Sequence, residues 1–140
     1  MKVTVTVEVG GSAQKVWDIL MAVEAWPEWT ASINSVERLD PGPLILGSRV
    51  RIKQPKLPST VWTVSEMAEG VRFSWTAAGL GSRTIASHQV ETTPTGARVN
   101  LSIRQGGMIG GFFGHLYSRL TRRYVTMEAD GLKQRAETST

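Results

Sequence analysis

The end of the chain carries one long helical stripe, and almost everything before it alternates. From Met108 onward, Ile109, Phe112, Phe113, Leu116, Tyr117, Leu120, Tyr124, Met127 and Leu132 recur mostly three or four apart, the spacing of one helix face. Arg119, Arg122, Arg123 and Glu128 are placed on the opposite face. An apolar stripe of that length must be buried against another element, and the segments before it say which.

Lys2 to Val9 reads KVTVTVEV, with Val3, Val5, Val7 and Val9 on one face. Period two predicts a half-buried strand. Gly10-Gly11 ends it, and Ser12 is suited to cap a helix. In SAQKVWDILMAVE, Val16, Trp17, Ile19, Leu20 and Val23 fall at helical spacing. Pro27 in AWPEWTAS suits the first turn of a short second helix. SINSVERLD, GSRVRIKQ, STVWTVSEM, VRFSWTAAG, SRTIASHQVETT and GARVNLSIRQ then follow as six strands with short breaks. Short connections make neighbouring strands antiparallel. The expected order is strand, two helices, six strands, long helix. Seven twisted strands should curl around that helix, leaving an internal space where side chains do not fill it.

Composition narrows the function classes. A chain of 140 residues, 41% hydrophobic and 20% charged, predicts one folded domain over residues 1–140, with the tail from Ala136 frayed. There is no cysteine, which removes disulfides, thiolate metal sites and cysteine nucleophiles. His88 and His115 are the only histidines, so neither a metal site nor a Ser-His-Asp triad is expected. No cofactor is expected. The net charge of +4 is not packed into a basic run, and no nucleic-acid partner is expected. No apolar run reaches the ~20 residues of a membrane span. MKVTVTVEVGG alternates where a signal peptide would carry a solid apolar block, so the expected location is cytoplasmic.

The arrangement resembles the START-like helix-grip (SRPBCC) superfamily, and within it the polyketide cyclase/dehydrase group. VTVTVEVGGSAQKVWDIL resembles that group's first strand and helix. AWPEWTASINSVERL resembles its Pro-x-Trp helix running into the second strand, and GSRVRIK its third strand. The ending GLKQRAE resembles its terminal Leu-Lys-x-x-x-Glu stretch. The resemblance covers nearly the whole chain. It implies an α+β helix-grip fold: a curved seven-stranded antiparallel sheet wrapped around the C-terminal helix, with two short helices after the first strand. It further implies a cavity for an apolar or amphipathic small molecule, lipid- or polyketide-like. Some members cyclise or dehydrate polyketide chains, and others bind or carry ligands.

Strand parity turns Val50, Ile52, Trp62, Val64, Phe73, Trp75, His88, Val90, Leu101 and Ile103 toward the helix. His88 shares its face with Ala86 and Val90. It is either a pocket base, since imidazole titrates near neutral pH, or a core histidine satisfied by a neighbour. Trp62, Phe73 and Trp75 are either an aromatic pocket or core. Trp26, beside Pro27, is a candidate lid; Trp29 and Trp17 read as structural. Tyr117 could donate a proton to a ligand oxygen or reach water. His115 is placed at the edge of the stripe, and Arg51 and Arg104 on the solvated face. RQGGMIGGFFG lacks the Gly-Lys-Ser/Thr of a phosphate loop and reads as a flexible entrance to the helix.

The expected ligand contacts are therefore Trp26, Ile52, Trp62, Phe73, Trp75, His88, Val90, Leu101, Phe112, Phe113, Leu116, Tyr117 and Leu120. The expected space is roughly 300 Å³ or more. The first functional reading is a binder of a hydrophobic or aromatic small molecule. The second is a cyclase or dehydratase using His88 and Tyr117, and the third a toxin- or chaperone-like protein partner. A homodimer is left open.

Overall fold

The computed structural model describes residues 1–79, 82–107 and 111–138, with the side chains of all but 107 and 111–113. Its elements are β1 (Lys2–Val9), α1 (Ala13–Met21), a 3-10 helix (Val23–Glu28), β2 (Ser35–Arg38), β3 (Arg49–Lys53), β4 (Thr60–Ala68), β5 (Arg72–Gly79), β6 (Ser82–Thr93), β7 (Gly96–Gly107) and α2 (Gly111–Thr138). Ser12 caps α1 as its chemistry predicts: its hydroxyl accepts from the Lys15 N–H at 3.1 Å. The expected order of elements holds throughout.

The strands form one antiparallel sheet in the order β1-β7-β6-β5-β4-β3-β2. Sequence neighbours β2 to β7 pair in a meander, and β1 closes onto β7. A register shift between Val64 and Glu66 marks a bulge in β4, which adds to the bend of the sheet. The alternation fixes the faces: Val50, Ile52, Val64, Phe73, Trp75, Ala86, His88, Val90, Val99 and Leu101 are buried, and the residues between them along each strand belong to the convex side.

α2 covers the concave side through Val125, Ala129, Leu132 and Ala136, all buried. The sequence stripe differs from this face. Leu116, expected inside, is 45% exposed, and Tyr117 and Leu120 are only half-buried. The C-terminal end of α2 is tied down, and the buried positions of the helix gather toward that end. The tie lies in the stretch expected to fray: Ala136 is buried, and the Glu137 carboxylate accepts from the Gly10 N–H at 2.7 Å and from Lys133 Nζ at 2.6 Å. Ile109 lies outside the described residues, as do Met108 and Gly110 of the glycine-rich entrance.

Gly131 lets α2 approach the chain before β2. A Cβ at that position would stand 1.9 Å from the Trp29 carbonyl oxygen, far inside van der Waals contact. No helix among the described residues is long and apolar enough to cross a membrane.

Candidate functional site

β6 places His88 at the centre of the concave face, between Phe73 on β5 and Leu101 on β7. The imidazole stacks on Phe73, with ring centroids 4.2 Å apart and planes 8° from parallel. Its Nδ1 stands 3.3 Å from the Phe73 carbonyl oxygen. A carbonyl can only accept, so Nδ1 carries the proton.

That assignment turns Nε2 toward α2, where it stands 3.5 Å from Glu128 Oε1. The distance is long for a charge-assisted hydrogen bond, and Oε1 is buried with no hydrogen-bond partner. The His88 side chain is 4% exposed and that of Glu128 15%. A neutral imidazole with Nδ1–H would set the Nε2 lone pair against a carboxylate oxygen. In that form Nε2 and Oε1 are both acceptors and do not satisfy each other.

Tryptophans wall this pair. The rings of Trp26 and Trp75 are 5.3 Å apart, those of Trp62 and Trp75 6.1 Å. His88 lies edge-on to both Trp26 and Trp75, at 5.5 Å from each. Between wall and helix is a hollow of about 50 Å³ lined by Trp26, Ile33, Ile52, Gln54, Trp62, Trp75, Ala86, Ser87, His88, Leu101, Ser102, Ile103, Val125 and Glu128. The expected 300 Å³ or more is not found there, because the indole rings occupy the concave face. A space of this size holds a water or two, not a ring.

The structure thus brings together Trp26, Ile52, Trp62, Trp75, His88 and Leu101 of the expected contacts. It separates others. Phe73 is fully buried beneath His88, with Trp17 against its edge at 6.1 Å, and Val90 is buried outside the hollow. Leu116, Tyr117 and Leu120 do not line it. Tyr117 is eleven residues from Glu128, about 16 Å along the helix, so it does not act beside His88. Phe112 and Phe113 have side chains outside those described. Trp26 is no lid: it is buried, and its indole N–H donates to the Leu20 carbonyl at 3.1 Å. Trp29 packs on it at 5.5 Å. His115, Arg51 and Arg104 are exposed.

The residue missed by sequence reasoning is Glu128. The signal was present: Glu128 lies three and four residues from Val125 and Leu132, on the ridge that also carries Ala129. Small and β-branched residues mark that ridge, and the larger aromatics drew the stripe elsewhere.

A family model described as "Polyketide cyclase / dehydrase and lipid transport" matches residues 1–137. Similar solved structures include a START superfamily protein from Mycobacterium smegmatis, 18% identical over 96% of both chains with a TM-score of 0.79. An aromatase/cyclase from a Streptomyces species is 15% identical over 97% of this chain and 93% of that one, TM-score 0.79. A protein from Thermus thermophilus is 17% identical over 97% of each, TM-score 0.79. At these identities the likeness is one of fold. None of the curated proteins matches the sequence.

Proposed function

The chain belongs to the polyketide cyclase/dehydrase and lipid transport family, and from that premise we propose that it binds a hydrophobic, ring-bearing small molecule between the sheet and α2. The observation that carries this reading is the buried Glu128 oxygen without a hydrogen-bond partner, facing a hollow walled by three indoles. Indole faces offer flat apolar contact. A buried acceptor left open costs stability unless something donates to it. The ligand that satisfies both is an aromatic or polyketide-like molecule with a hydroxyl.

The hollow must widen to admit it. A benzene-sized cavity is on the order of 150 Å³, three times the present space. Trp62 is the wall that can yield, because it is only half-buried while Trp26 and Trp75 are fully packed. The cytoplasm is the setting this reading assumes.

Calorimetric titration with 2-naphthol and naphthalene tests the reading. Binding of 2-naphthol, weakened about tenfold or more in Glu128→Gln, is the expected result, a charged hydrogen bond contributing roughly 1.5–3 kcal/mol. No heat with either compound, or equal affinity for both, would count against it.

The His88–Glu128 pair favours a second reading, an enzyme of the cyclase or dehydratase type. Nε2 would take a proton from a carbon next to a ligand carbonyl, with Glu128 holding the resulting imidazolium. The sheet would keep a flexible chain folded for ring closure.

A further inference from the structure

The cations of this protein are divided by position. Toward the end of the sheet where β1 finishes and β6 turns into β7, and along the β2 edge, six of the described arginines and lysines are paired with carboxylates, while Arg38 donates to the Gly42 carbonyl. Arg98 meets Glu8 and Glu91, Arg72 meets Glu66, Arg49 meets Asp40, Arg51 meets Glu37, Lys133 meets Glu137 and Arg135 meets Glu28.

The other end is different. Lys2 on β1, Lys56 in the β3–β4 loop, Arg83 on β6, Arg104 on β7, and Arg119, Arg122 and Arg123 on α2 are all exposed. Among the described residues none of them has a carboxylate within 4.0 Å. The register brings them to one end. Lys2 stands directly opposite Arg104, and Arg83 opposite Gly106. Tyr124 donates to the Pro55 carbonyl, which sets the middle of α2, next to Arg122 and Arg123, beside the β3–β4 loop. The sequence supplies no acid to this end: residues 41–65, 70–90 and 92–127 contain no Asp or Glu. Like charges opposed across a strand pair are unfavourable, and nothing within the described chain offsets Lys2 against Arg104.

We propose that this end of the molecule docks on an anionic lipid surface. The cations come from five separate elements rather than from one stripe, which suits a plane of headgroups. Leu116 is 45% exposed among them, with Arg119 and Arg123 on the same side of α2. An apolar side chain flanked by long cationic ones is the pattern of an interfacial helix. Gln54, Ile52 and Trp62 line the hollow on the β3–β4 side toward this end, so a docked molecule turns its half-buried Trp62 wall toward the bilayer. The purpose of the docking rests on the ligand-binding reading, since a membrane is where an apolar ligand partitions. The docking itself is measured separately.

The test is co-sedimentation with vesicles of phosphatidylcholine alone and of phosphatidylcholine mixed with phosphatidylglycerol. Binding is expected only to the mixed vesicles. It should fall as ionic strength rises from ~0.01 M to ~1 M, where the Debye length shrinks from ~30 Å to ~3 Å. Arg83→Gln/Arg104→Gln and Arg119→Gln/Arg123→Gln should each weaken it about tenfold or more, two cations at a surface being expected to contribute at least that. Arg72→Gln/Arg98→Gln, the same charge removed at the other end, should leave it within about twofold. Equal partition to both vesicle types, an equal loss in the control pair, or tighter binding to a duplex DNA oligonucleotide would overturn the proposal. Titration of the same variants with 2-naphthol separates the two ideas. A flat curve throughout removes the ligand reading and leaves the vesicle result standing or falling by itself.

Discussion

Glu128 Oε1 lies 3.5 Å from His88 Nε2, beyond a well-formed hydrogen bond. A buried carboxylate held this way contributes little to stability, because desolvation opposes the attraction of its partner. Glu128→Gln keeps the volume, removes the charge and can donate to Nε2. It should leave the unfolding free energy unchanged or raise it by about 1 kcal/mol. Urea denaturation checks this, and a loss of about 2 kcal/mol or more would mark the pair as structural instead.

His88 separates the binder from the enzyme. Its ring stacks on Phe73 and satisfies that residue's carbonyl. His88→Gln should therefore cost roughly 1–3 kcal/mol of stability whatever the function. Under the binding reading its 2-naphthol affinity changes little. Under the enzymatic reading, turnover of a polyketide-like substrate falls by about 10²–10⁴-fold.

Gly131→Ala should be among the most damaging single-methyl additions. The new Cβ would meet backbone, the Trp29 carbonyl oxygen at 1.9 Å, and neither partner is the free end of a side chain. Overpacking of this kind costs typically 1–3 kcal/mol and sometimes more. Thermal unfolding measures it; a melting temperature within a degree or two of wild type would show that α2 can shift away from Trp29.

The attachment of the C-terminal turn of α2 should depend on acidity. Lys133, and then the Gly10 N–H, hold the Glu137 carboxyl below its ordinary range. A folded-state pKa lowered in this way contributes stability that is present above the unfolded value of about 4.3 and is lost as pH falls through the folded one. Glu137→Gln should thus be less stable than wild type at neutral pH, and the gap should close well below pH 4. A gap that persists in acid would mean that Glu137 acts through packing.

The strands were legible because alternation is a direct consequence of a half-buried sheet. Val3 to Val9, Val50 and Ile52, and Val99 to Ile103 each name their own face. The faces of Trp62, Trp75 and His88 followed from the same parity. Three features were not legible, for physical reasons. Which turns of α2 lie against the sheet depends on where its C-terminal end is tied, which the stripe from Ile109 to Leu132 does not encode, so Leu116 was placed inside. Glu128 was placed in solvent because a carboxylate on a helix usually is, and only the spacing of Val125, Ala129, Leu132 and Ala136 argues otherwise. The volume of the hollow depends on how far Trp26, Trp62 and Trp75 fill it, and parity fixes direction rather than filling.

The indole N–H resonances test the central claim most directly. Titration of isotope-labelled protein with 2-naphthol should shift the Trp26, Trp62 and Trp75 signals saturably, with Trp62 moving most, while Trp17 stays in place behind Phe73. Shifts confined to Trp17 or Trp29, or no saturable shift in any indole, would contradict a ligand site between the sheet and α2.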